Sequence, residues 1–426
     1  MTAPRLGGVP AKCRAIVLAA LLMACAWACG AGENGEPYWP EFHGPKRDNI
    51  VRETGLLKEW PKDGPKLLWK FAECGTGYAG VSVAEGLLFT TGDFGDQEMV
   101  LALDLHGQLK WKAANGKAWK GAQPGARSTP TYNEGVVYQL NATGRLVALT
   151  AATGALLWST DLASRFEARH NFWGYAENVV VDGDMVLCMP GGATGRVVAL
   201  NKKTGATIWA NTEITDSAGY SSPIMATHNG ARLFITLARR SVLGVDARTG
   251  KLLWSHKHEG TCDQNVTSPL FQDGAVFVTS GHKGGGRAVR IAADGQSVTE
   301  LWFGTDLDNC HGGVVFLNGY LYGSGCRLYN KGLVCVEFAT GKTMYNAAEI
   351  GKTSVTYADG LLYCLGNDAT MTLVEVTPQQ AKVVSRFTPP WKHKPPCLSH
   401  PVVCGGRLYI RHLDELFAYD LRAGQL

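Results

Sequence analysis

Eight positions in this 426-residue chain invite a chemical reading. Tyr78, Arg127, Tyr175, Val266, His311, Lys352 and Leu398 each stand eight residues before a Gly that closes a short apolar run. Tyr220 stands ten before, with a two-residue insertion at "THNG". Six of the eight are aromatic or basic. Trp173, Asn265, Cys310 and His400 lie within two residues of this set. Converging Tyr, Arg, His and Lys side chains bind carboxylate-bearing or aromatic ligands by hydrogen bonding and stacking. The competing reading is architectural, with the same residues plugging a channel and satisfying strand ends.

Other chemistry is weakly represented. His256 and His258 in "SHKH" have half-site spacing for a metal on one face of a strand, but read as an exposed polar edge. The carboxylates of "DFGDQE" (93–98) and "VDGD" (181–184) read as hairpin-turn residues. "GHKGGGR" lacks the frame of a phosphate loop, and no Gly-x-Ser-x-Gly elbow occurs. Nine cysteines follow residue 30: Cys74, Cys188, Cys262, Cys310, Cys326, Cys335, Cys364, Cys397 and Cys404. Their odd count and irregular spacing do not make a disulfide framework. Cys326–Cys335 and Cys397–Cys404 can each close a short loop. No Cys-x-x-Cys occurs, and no metal site is predicted.

The elements that carry the eight positions repeat. "ALTAATGALLW" (148–158), "ALNKKTGATIW" (199–209) and "GVDARTGKLLW" (244–254) are variants of one phrase. "CVEFATGKTMY" (335–345) keeps the frame with Tyr, and "ALDLHGQLKW" (102–111) is one residue shorter. Trp69, Trp111, Trp158, Trp209, Trp254, Trp302 and Tyr345 are separated by 42, 47, 51, 45, 48 and 43 residues. That period is one four-stranded propeller blade. Each unit reads as three strands, a Thr-Gly or similar hairpin, and a Trp strand whose aromatic side chain docks the neighbouring blade.

Eight units follow, but the last stops before its Trp strand, while "GPKLLWKF" (64–71) is a Trp strand without a blade. The sequence therefore predicts an all-β, eight-bladed propeller of four-stranded antiparallel blades over residues 66–426. Its N-terminal strand completes the C-terminal blade, which removes exposed edges.

The N-terminus reads as an export signal: Arg5, Lys12 and Arg14, then the apolar run "AIVLAALLMA" (15–24). That run is too short for a membrane span, which needs about 20 residues. Cleavage after residue 24 makes Cys25 a lipidated first residue, and cleavage after residue 28 is the competing ending. Residues 30–65 form an N-terminal extension. Without residues 1–24 the formal charge falls from +4 to +1. With no basic run remaining, nucleic acid is not an expected partner, and membrane contact is expected only through the signal or a lipid anchor.

The repeated Ala-x-Asp-x-x-Thr-Gly-x-x-x-Trp phrase resembles the tryptophan-docking motif of the PQQ-like (pyrroloquinoline-quinone enzyme repeat) β-propeller family, over nearly all of the chain past the signal. The leader "YWPEFHGPKRDNI" (38–50) resembles the Trp-Pro-x-Phe-Arg-Gly-Pro-x-Arg-x-Gly opening of planctomycete-type envelope members, with His43 and Asn49 departing from it. The resemblance implies periplasmic or membrane-anchored residence in a bacterial envelope.

The same family has two kinds of relative. Quinoprotein alcohol dehydrogenases use PQQ with calcium, an acidic-residue and Asn ligand set, an Asp base and a vicinal disulfide. The propeller lipoprotein of the outer-membrane assembly machinery is not an enzyme. This chain has no adjacent Cys pair and no alignable calcium set. The reading it supports is a binding or scaffold module for an envelope protein or small ligand, with a PQQ-dependent oxidoreductase as the alternative.

Overall fold

A computed structural model describes residues 35–261, 264–326 and 332–424. Cys25 and both proposed signal endings lie outside the described residues, as does Cys262.

Eight sheets are arranged as the repeat requires. Blade 1 runs Ser82–Ala84, Leu87–Phe94, Gln97–Asp104 and Leu109–Lys117, each strand antiparallel to the next. Blades 2 to 7 follow in chain order. In blade 8, three strands from the C-terminus are completed by Leu67–Phe71, which pairs with Glu415–Asp420. The ring closes through the N-terminal strand as the unpaired Trp strand predicts.

The repeated phrase acts between blades. Trp158 Nε1 donates to Lys202 O of the next blade, and Trp69, Trp111, Trp209 and Trp302 donate likewise to Leu105, Ala151, Ala247 and Phe338. The Gly of each receiving hairpin lies flat on the incoming indole. A Cβ on Gly205 would sit 2.7 Å from Trp158, and one on Gly250 would sit 2.4 Å from Trp209. Each Trp strand also carries a one-residue register shift just before its aromatic residue, as between Leu156 and Trp158. Such bulges re-aim a side chain.

Two of the seven docking positions differ. Trp254 is buried with Nε1 unpartnered, and a Cβ on Gly295, the glycine of the next hairpin, would meet nothing within 4 Å. Its room is made within its own blade, where a Cβ on Gly244 would strike the indole at 2.1 Å. Tyr345 faces a hairpin, Thr377–Gln380, that contains no glycine, and its hydroxyl is buried without a partner. The core is a series of apolar layers between adjacent blades, filled by alternating strand residues such as Leu146, Ala148, Val186 and Val198.

The extension preceding residue 66 is built into the fold. Trp39 pairs with Val83 of blade 1, and Pro40 O accepts from Tyr132 N of blade 2. Arg47 donates to Asn178 O, Val179 O and Pro223 O at the inner strands of blades 3 and 4, and to Glu41 Oε2 at 2.6 Å. Ile50–Val51 adds a parallel strand to blade 7. Asn49 donates to Val355 O and accepts from Thr356 Oγ1. Glu53 accepts from Gly405 N and Gly406 N of blade 8, so the segment crosses the central channel and ties six of the eight blades together.

Candidate functional site

The first strand of each blade lines the channel, and the loop entering it forms one rim. The extension blocks the channel below that rim. What remains is a cup of about 260 Å³, with Phe42 and His43 at its floor.

Of the predicted residues, Tyr78, Arg127, Trp173, Tyr220, His311 and His400 line this cup, with Val266 and Leu398 at the equivalent ring positions. Arg127 lies 5.9 Å from the Tyr78 ring centroid and 5.8 Å from that of Trp119, and Arg127 Nη2 donates to Ala122 O and Gln123 O. The Tyr78 hydroxyl bonds Gln123 Oε1. Burial pushes the Tyr78 hydroxyl up and the Arg127 guanidinium down from their ordinary values.

Three predicted residues stand elsewhere. Tyr175 turns into the blade 2–blade 3 core and donates to Pro190 O, so Ala176 takes its place on the cup. Asn265 braces the backbone by donating to Ala238 O and Arg239 O. Lys352 lies outside the cup wall, where its charge acts on Asp308, Cys310 and Cys326. A fixed distance from a turn Gly sets the position of the backbone, but packing of each loop decides which way the side chain points.

Sequence reasoning missed the floor. His43 Nε2 lies 3.1 Å from His400 Nδ1, and His400 Nε2 lies 2.7 Å from His311 O. Burial draws His43 well below the ordinary imidazole range, His400 down to about 4 and His311 to about 3. All three are neutral at pH 7. The only available signal was the leader motif, whose two departures, His43 and Asn49, both have partners inside the channel.

The 93–98 stretch is a hairpin as expected, with Asp93 and Glu98 paired on its flanks, where burial raises Asp93 to about 6 and Glu98 well above the carboxylate range. Three other expectations need correction. His258 is not on an exposed edge: it is buried and bonded to Ser280 Oγ, apart from His256, which faces Glu300. Cys326 faces Cys310 across Gly281 rather than Cys335, which is paired within the blade 6 sheet. Cys397 and Cys404 are both free thiols. Hydrogen bonding from Cys310 holds the Cys326 thiol down to about 5, while the Cys310 thiol is pushed up.

The cup does not fit a calcium-held quinone. Among its described lining residues there is no carboxylate, so a hard cation lacks its acidic oxygen ligands. Among the described lining residues, Arg127 alone carries a fixed positive charge.

Fold and cup together define a closed, tryptophan-docked propeller with an internally plugged channel. The family model described as "Outer membrane protein assembly factor BamB" matches residues 96–346. The chain belongs to this PQQ-like propeller family, related to BamB and to quinoprotein alcohol dehydrogenases.

Among curated relatives, BamB of Shewanella oneidensis is 24% identical over 238 residues, 54% of each chain. Quinohemoprotein alcohol dehydrogenase ADH IIB of Pseudomonas putida is 30% identical over 141 residues, 30% of this chain and 20% of that one. The chain thus matches about half or less of the length of these relatives. Among solved structures, BamB of Moraxella catarrhalis superposes with a TM-score of 0.60 at 16% identity, covering 85% of this chain and 99% of that one. Quinohemoprotein alcohol dehydrogenase of Comamonas testosteroni gives 0.65 at 12% identity, covering 97% and 84%. At these identities the likeness establishes the fold alone. Among the described residues no helix is long and apolar enough to cross a membrane.

Proposed function

We propose that this protein is a non-catalytic binding module of the bacterial cell envelope, which takes an aromatic or carboxylate-bearing group of a partner protein or small ligand into the cup. The observation that carries the reading is the composition of the cup. Tyr78, Trp173 and Tyr220 supply aromatic surface, Arg127 supplies one cation, and His311 and His400 are uncharged. No acidic group is present among the described lining residues to serve as a base or calcium ligand. The export-type N-terminus, the leader's resemblance to planctomycete envelope proteins and the family's assembly-factor members support an envelope location.

Two measurements on the full chain test this. Calorimetric titration with PQQ and calcium is expected to give no binding heat. A photo-cross-linking amino acid replacing Gln264, on the cup wall, is expected to trap a discrete partner in intact cells, with the product lost on Arg127→Ala. Stoichiometric PQQ binding that disappears in both Arg127→Ala and His311→Ala would overturn the proposal in favour of a redox enzyme.

A further inference from the structure

Cys310, Cys326 and His282 come from three separate segments. His282 lies in the turn between two strands of blade 5, Ala275–Ser280 and Gly285–Ile291. Cys310 lies in the connection from blade 5 to blade 6, and Cys326 just beyond the blade 6 strand Tyr320–Ser324. One ligand atom from each lies within 4.8 Å of the other two. We infer that these three residues form a site for one thiophilic metal ion of the zinc class beside the channel mouth.

The geometry suits that ion. Zinc–sulfur and zinc–nitrogen bonds of about 2.3 and 2.0 Å place tetrahedral ligand atoms roughly 3.3–3.8 Å apart. The three ligand atoms, all within 4.8 Å of one another, need to approach by about 1 Å to reach that spacing. Two thiolates balance a dication, and the imidazole binds as the neutral base. Loading requires both sulfurs as thiolates, so any proton they still carry passes to solvent, and no oxidation state changes. Three protein ligands leave a fourth position for water or for an atom of a bound ligand. His311, the neighbour of Cys310, is on the cup wall.

The surroundings hold the ligands in place. A Cβ on Gly281 would lie 2.4 Å from Cys310 Sγ and 2.8 Å from Cys326 Sγ, so both thiols converge on a backbone point that admits no side chain. Asp308 Oδ1 accepts from Cys326 N at 2.7 Å, while its Oδ2 is buried with no partner. Asn309 Nδ2 donates to Gly313 O and Ser324 O, which ties the Cys310 loop to the strand leading to Cys326. Thr261 N and Oγ1 both donate to His282 O. Fixation of ligands by outer partners is what distinguishes a built metal site from chance proximity. No other group of three or more His, Cys, Asp or Glu residues with this convergence occurs among the described residues. Sequence spacing gave no sign of the site because its ligands belong to two different blades.

The test uses the full chain, reduced and freed of metal, titrated with Co²⁺ as a spectroscopic stand-in for zinc. One ion per chain is expected, with a thiolate-to-cobalt charge-transfer band. Cys310→Ser and Cys326→Ser should each reduce that band and weaken binding at least tenfold. His282→Ala should weaken it by a similar factor, and Cys364→Ser, in the blade 7 strand Leu361–Gly366 and outside the cluster, should change nothing. Zinc protection is read in parallel on the unmutated chain, so misfolding of a variant leaves the question answerable: alkylation followed by mass mapping should find Cys310 and Cys326 blocked with zinc and modified without it. Absence of a thiolate band in the reduced chain, or a band unchanged in both Ser variants, would overturn the proposal. So would a Cys310–Cys326 disulfide in protein alkylated directly from its native envelope.

Discussion

His43 and His400 are separated by 357 residues, yet His43 Nε2 lies 3.1 Å from His400 Nδ1 beneath the channel mouth. His400 Nε2 must carry the proton it gives to His311 O, so its Nδ1 accepts, and His43 Nε2–H is the donor. One bond thus joins the N-terminal plug to the last blade. Removing either partner leaves a buried polar nitrogen unmatched, at about 1–3 kcal/mol. Urea unfolding of His43→Ala, His400→Ala and the double variant is expected to show non-additivity, with a coupling of roughly 0.5–3 kcal/mol. Strict additivity would mean that the contact does not form.

The plug is held chiefly by Arg47. Its three carbonyl acceptors and Glu41 are all buried or nearly so. Arg47→Ala leaves Glu41 without its counter-ion and should cost about 3–5 kcal/mol. Limited proteolysis should then cut within residues 35–65, while the wild-type segment resists.

Docking glycines can be separated by what stands above them. Gly205 and Gly295 both have positive φ, 69° and 72°, so Ala at either strains the backbone by about 1–2 kcal/mol. At Gly205 the new methyl also meets the Trp158 ring at 2.7 Å, whereas at Gly295 it meets open space. Gly205→Ala should therefore be the more destabilising by roughly 1–3 kcal/mol. Equal thermal shifts for the two variants would refute the docking account.

Glu177 and His400 make opposite contributions to the pH dependence of stability. Burial raises Glu177 to about 8, while Met189 N donates to it. A raised carboxyl contributes stability that is fully present below its unfolded value near 4.5 and lost as pH rises through about 8. Burial lowers His400 to about 4, so its contribution is present above an unfolded value near 6.5 and lost as pH falls towards 4. Compared with wild type, Glu177→Gln should change the slope of stability by about 1.4 kcal/mol per pH unit across pH 4.5–8. His400→Gln should change it by a similar amount, with opposite sign, across pH 4–6.5. Denaturant melts at several pH values would show parallel curves if either group were solvated.

Blade number, strand order and ring closure were legible in the chain itself. Thr153-Gly154 and Trp158 lie within six residues of each other, and the phrase recurs at the period of one blade. Each copy needs only the next copy to complete its contact, so a short-range pattern determines a large structure. The cup was legible in part. Tyr78, Arg127, Tyr220 and His311 reach it from equivalent loop positions, but Tyr175 has the same spacing and turns into the core. His43 against His400, Arg47 across blades 3 and 4, and Cys310 against Cys326 beside His282 left no periodic trace. These contacts join segments from different blades or from opposite ends of the chain. Which side chains meet there depends on how the closed ring packs about its axis, and only the tertiary structure decides that.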